Sequence, residues 1–201
     1  MPQLQGKSTQ KTPVAVTEDF IEIPSELIAQ HKNITLAIDV MFINKVQLLT
    51  SIDTTLKYHS CIVIKDRTAE QLYQGIRKIL QIYNKASFVV KTIKCDGEFE
   101  NLLTNVEQDF DVTLALTARD EHVPEAERNN RTIKEIFRGE FSRLPFKMMP
   151  KLMIQYLALR STFILNIYPA KGGVSDHFSP HMLLQCEKLH FNHVKNCVKI
   201  M

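Results

Sequence analysis

The run Ile34-Thr35-Leu36-Ala37-Ile38-Asp39-Val40-Met41-Phe42 constrains this chain most. It is β-branched and almost continuously apolar, as a strand must be when other layers cover both of its faces. Asp39 breaks it, and a charge there is costly to bury unless it is hydrogen-bonded, paired or bound to a metal. By itself Asp39 reads either as a hydrogen-bonded core aspartate or as a ligand. Asn44-Lys45 then marks a turn, and Val46 to Ile52 and Lys57 to Ile64 read as two further strands, so a three-stranded antiparallel meander comes first.

Helices and strands alternate after that. Thr68-Ala69-Glu70-Gln71 has capping-box spacing, and Leu72, Ile76, Ile79, Leu80 and Tyr83 follow at helical intervals despite Gly75. Phe88 to Cys95 reads as a fourth strand that delivers Asp96 to its C-terminal end, where Gly97 turns the chain. Phe99, Leu102, Leu103 and Val106 share one helical face, and Val112 to Thr117 forms a fifth strand. The order predicts an α/β fold, a mixed five-stranded sheet with three antiparallel strands first, flanked by helices. At 201 residues and 44% hydrophobic content the chain can bury one full core.

The next helix carries the chemistry. Pro124 suits a first helical position, Glu125 and Glu127 fall in the first turn where carboxylates are favoured, and Gly139 suits a left-handed position beyond an end near Arg138. Arg131 and Lys134 stand four and seven residues after Glu127, so all three lie on one stripe: a carboxylate followed by two cations. The formal net charge is only +3, but residues 128 to 160 hold eight Lys or Arg against two Glu. That concentration fits a polyanion partner as well as a solvated helical surface.

Here the sequence resembles the integrase catalytic core of copia-type retrotransposons, in the retroviral integrase superfamily of ribonuclease H-like folds. Ala126-Glu127-Arg128-Asn129-Asn130-Arg131-Thr132 matches that family's Ala-Glu-Arg-x-Asn-Arg-Thr helix. Asp96-Gly97-Glu98-Phe99 is similar to a shortened form of its Asp-x-Gly-x-Glu-Phe stretch, and Ser179-Pro180-His181-Met182-Leu183-Leu184 to its late Ser/Thr-Pro-x-x-Leu-Leu segment. The resemblance runs from about Ile34 to Gln185, with a shorter spacer between Asp96 and Glu127 than the family's and no upstream zinc module.

The resemblance implies Asp39, Asp96 and Glu127 as catalytic, metal-binding acids holding two Mg2+ or Mn2+ ions about 4 Å apart, with Asp39 bridging them. Glu125 is the alternative third ligand. It implies DNA 3′-end processing followed by joining to target DNA, with Arg131, Lys134 and, more weakly, Arg128 on DNA phosphates. Element-end and target DNA are the implied partners, with a homo-oligomer and no small-molecule substrate. A catalytically inactive or decayed module that binds DNA or oligomerises is the alternative.

The remaining expectations concern organisation. Residues 1 to 20 are polar and aperiodic, as in a disordered lead-in; a core-like domain spans 21 to 190; residues 191 to 201 read as the tail of a truncated polyprotein. Pro150 opens a helix through Leu165 that is expected to be buried, since the segment to Tyr168 is too polar for a membrane span. His177, His181, Cys186, His190, His193 and Cys197 crowd the C-terminal quarter without a paired zinc-module spacing. Unpaired Cys spacing points to a reducing intracellular setting, nuclear when acting on chromosomal DNA.

Overall fold

In the computed structural model residues 22–117 and 123–185 are described; the expected lead-in over 1 to 20 and tail over 191 to 201 lie outside them, as do Cys186, His190, His193 and Cys197. A short helix α1 (Ser25–Gln30) leads into strand β1 (Asn33–Ile43). Asn44 and Lys45 both take positive φ, 45° and 66°, and Ile43 pairs with Val46 across them. This two-residue reversal has the twist that a hairpin needs, and it sets β2 (Val46–Asp53) antiparallel to β1. Strand β3 (His59–Ile64) pairs antiparallel with β2.

Helix α2 (Ala69–Lys85) carries the chain across to β4 (Val89–Cys95), which lies parallel to β1. Thr68 does not cap α2 with its side chain; its hydroxyl bonds the Asp66 carboxylate instead. Gly75 is required by a close approach, since a Cβ there would stand 2.5 Å from Leu49 Cδ2 of β2. A 3-10 segment (Gly97–Leu102) and α3 (Leu103–Phe110) together form the expected helical face and lead to β5 (Thr113–Leu116), parallel to β4. The sheet order is β3-β2-β1-β4-β5, the mixed five-stranded arrangement expected from the order of segments.

Strand β1 separates two cores by alternation. Ile34, Leu36, Ile38 and Val40 pack on the side of α2, among Ile76, Ile79 and Tyr83. Ala37 meets Val123 and Ala126, while Met41 and Ile43 meet Ile133 and Phe137. These partners belong to α4 (Pro124–Ser142) or, in the case of Val123, cap its start, so odd-numbered residues of β1, Asp39 among them, face α4.

Two expectations change. Helix α4 does not stop near Arg138 but runs through Gly139 to Ser142. Phe141 stacks on Phe137 with ring centroids 6.5 Å apart, and Glu140 takes a 3.1 Å bond from Arg160 Nε on the neighbouring helix; both anchor the extra turn. That neighbour, α5 (Lys151–Asn166), is not buried all round: Ile154, Leu157 and Ala158 pack inward, while Leu152, Tyr156, Leu159 and Phe163 remain exposed. A short α6 (Pro180–Gln185) closes the described chain, with Ser179 Oγ accepting from Met182 N at 3.3 Å. No helix among the described residues is long and apolar enough to cross a membrane.

Candidate active site

Asp39 sits two-thirds of the way along β1, half-buried, directly opposite Thr50 of β2. Among the bonds that hold its carboxylate, Val40 N donates to Oδ1 at 2.7 Å, and Asn130 Nδ2 of α4 donates to Oδ2 at 2.7 Å. The Asn130 amide is oriented in turn by Thr50, whose hydroxyl donates to Asn130 Oδ1 at 2.6 Å. Thr50 is fully buried and Asn130 nearly so, so this chain of bonds is shielded from competing water. The hydrogen-bonded core aspartate and the candidate ligand thus coexist, since a carboxylate accepts several bonds at once.

The parallel register places Asp96 beside Asp39. Ala37 is level with Lys94, so two residues further along each strand Asp39 comes level with Asp96. Lys94 reaches Glu125 on α4 at 2.9 Å, which marks that side of β4 as the α4 side. Asp96 keeps an extended backbone (φ −83°, ψ 177°), so it continues the alternation from Lys94 onto the same side. Its Oδ1 accepts from Glu98 N at 3.1 Å, capping the 3-10 segment that follows.

A cation that sequence reasoning passed over stands next to this pair. Arg67, in the loop between β3 and α2, is hydrogen-bonded and ion-paired to Glu98 through both ends of the carboxylate. That bond, with the nearby charges of Glu98, Asp96 and Asp39, raises its pKa further above the usual arginine value. The guanidinium also lies 5.8 Å from the centre of the Phe42 ring. Nothing in the local sequence of Arg67 signals the contact, because it depends on a loop returning to the end of another strand.

Pro124 occupies the first turn of α4, and Glu125 and Glu127 stand there as expected. Their paths diverge. Glu125 is bonded to Lys94, which lowers its pKa, with Arg128 contributing. Glu127 is exposed and lines a cleft of about 680 Å³ together with Asp39, Arg131 and Lys134. Arg138, four residues past Lys134, extends the same stripe along the cleft, and Arg128 borders it. Arg138 and Asn130 were both detectable in principle, since each stands at a helical interval from a residue already singled out.

The donor chemistry suits a hard divalent ion, since all three candidate acids offer carboxylate oxygens. Placement suits it in part: Asp39 and Asp96 are level on one side of the sheet, and Asp39 and Glu127 share a cleft. Among the described residues, however, no three acid, His or Cys side chains converge closely enough to hold an ion. One oxygen of the Asp96 carboxylate, Oδ1, is engaged in its own capping bond. His122 lies outside the described residues.

No family profile matches the sequence, and no curated protein matches it. Among solved structures, the catalytic core domain of BIV integrase superposes with a TM-score of 0.51 at 17% identity, covering 81% of this chain and 97% of that one. At that identity the likeness is one of architecture: the chain has the ribonuclease H-like fold of an integrase catalytic core.

Proposed function

We propose that this protein is a polynucleotidyl transferase that processes DNA 3′ ends and joins them to target DNA. The observation that carries the reading is the juxtaposition of two level aspartates on the α4 side of the sheet with a helix stripe of one carboxylate and three cations. Asp39, Asp96 and Glu127 would hold two Mg2+ or Mn2+ ions, which supply charge stabilisation for the attacking and leaving oxygens of an in-line phosphoryl transfer.

The chain's own residues do the positioning. Asn130 and Thr50 fix the Asp39 carboxylate before substrate arrives, so no ordering cost falls on the reacting state. Arg131, Lys134 and Arg138 hold the DNA backbone along α4, which fixes register and gives salt-dependent affinity but little base reading. Arg67 offsets the repulsion between the neighbouring acids. Such a chain acts as a homo-oligomer on element-end and target DNA, in the nucleus when the target is chromosomal.

The test is strand joining on a labelled duplex with Mg2+ or Mn2+, comparing the wild type with Asp96→Asn. The expected result is divalent-dependent product from the wild type and a loss of 10²-fold or more, as an order of magnitude, in the variant. A second reading, a DNA-binding or oligomerising module without catalysis, is favoured by the capping bond that engages Asp96 and by the Glu98–Arg67 pair. Duplex binding without product under any divalent ion would establish that second reading.

A further inference from the structure

Helix α4 has a second functional-looking face. On the side away from Asp39 it borders another cleft, of about 540 Å³, closed by the β2–β3 connection and by the chain leaving α5. The size falls within the range of small-ligand pockets.

The floor is built and polar. His59 is clamped through its backbone by Asn166, which accepts from His59 N at 2.8 Å and donates to His59 O at 2.7 Å. Its ring Nδ1 lies 2.7 Å from Asn129 Oδ1, so with the amide oxygen accepting, Nδ1 carries the proton and Nε2 remains an acceptor. Burial lowers the pKa of this imidazole, which keeps the ring neutral at physiological pH. Asn129 is only 2% exposed, lines the cleft, and its Nδ2 has no hydrogen-bond partner. A buried amide donor left unpaired costs about 1–3 kcal/mol, so the floor lacks an acceptor that an occupant can bring.

The walls and rim specify what that occupant is. Tyr168, 59% exposed, and Pro169 offer flat apolar surface. Lys57, Arg128 and Lys171 place three cations around the opening, against Glu125, which is already engaged by Lys94. A bare phosphate would use the rim and leave the aromatic wall idle; an uncharged aromatic ring would do the reverse. A nucleotide uses both, and its base edge brings acceptors for the floor. Arg128 borders this cleft and the Asp39 cleft alike, so a strand can pass from one to the other around α4.

We propose that this cleft binds one unpaired nucleotide, its base against Tyr168 and its phosphate at the Lys171–Arg128 rim. The source is a strand emerging from DNA held in the Asp39 cleft, an assignment that rests on the DNA reading above; a free nucleotide has the same chemistry and forms a separate arm of the test.

The experiment is fluorescence anisotropy of the full chain with three labelled DNAs: a blunt duplex, the same duplex with a single-stranded extension, and that duplex with the extension made abasic. Wild type, Tyr168→Ala and Lys171→Glu are compared, both substitutions being at exposed positions, with blunt-duplex affinity as each protein's own reference. The extension is expected to tighten binding by about tenfold, with the gain absent for the abasic strand and in Tyr168→Ala. Equal affinity for base-bearing and abasic extensions, or a gain that survives Tyr168→Ala, overturns the proposal while leaving the duplex reading intact. If no DNA binds, the duplex reading fails by itself, and ligand-observed NMR with a deoxynucleoside monophosphate against inorganic phosphate decides the cleft. Binding of the nucleotide alone, lost in Tyr168→Ala, upholds it as a free-nucleotide site, and no binding or equal phosphate binding overturns it.

Discussion

Asp53 closes β2 with no exposed surface, its Oδ1 accepting from Thr55 N at 2.7 Å and its Oδ2 without a hydrogen-bond partner. Burial pushes its pKa from 3.8 to about 6, more than the bonds from Thr55 and Leu56 and the charge of Lys57 pull it down. The unfolded chain therefore releases this proton before the folded one does. Stability is highest below the unfolded value, falls as pH climbs from about 4 to about 6, and is flat beyond, a total of about 3 kcal/mol from this group. Asp53→Asn keeps the Oδ1 acceptor and removes the charge. Denaturant unfolding of both proteins at several pH values should show the variant gaining on the wild type across that window, and parallel curves would exclude Asp53 as the cause. The residue-level chemistry of the site was unevenly legible. Asp39 stood out because an apolar strand makes a charge conspicuous, whereas Arg67 and Thr50 matter only through partners that folding brings from elsewhere.

At the scale of elements, all five strands lie where β-branched runs and turn residues put them, because hydrophobic periodicity and left-handed turn positions are local properties. Helix ends are less local. Gly139 looked like a terminus, yet α4 continues past it, held by Phe137–Phe141 stacking and the Glu140–Arg160 bond, which are tertiary contacts. Gly139 has no positive φ, and nothing lies within 4 Å of where its Cβ would be. Gly139→Ala should therefore stabilise the protein by about 0.5–1 kcal/mol, read as a rise in the midpoint of denaturant unfolding at constant slope. A fall instead would mean that glycine is needed there for a reason the helix geometry does not contain. The inward half of α5 was legible from its apolar content, but its outward row of Leu152, Tyr156, Leu159 and Phe163 was not, since hydropathy alone does not tell which side meets the sheet.

Across the whole molecule, a modest net charge of +3 conceals a local bias, with Arg128, Arg131, Lys134 and Arg138 of α4 all lining the cleft that holds Asp39 and Glu127. Lys134→Glu should weaken DNA binding, with the loss greatest at low salt, and flatten the plot of log affinity against log salt by about one unit or more. Anisotropy titrations over a salt series check this; an unchanged slope would remove Lys134 from the phosphate track. The fold was legible as a whole because segment order restricts topology, while the degree of convergence of Asp39, Asp96 and Glu127 was not, since it turns on side-chain conformations that residue spacing does not set. The pairing of β1 with β4 has one more consequence. Already irregular between Ile34 and Thr35, this ladder brings Asp39 and Asp96 to one side only in its present alignment. A slip by a single position would send one aspartate through to the α2 layer, among Ile76 and Tyr83, where a carboxylate is expelled. Misaligned chains are thereby penalised at the same spot where they would be blank, so correct threading and competence are inherited together.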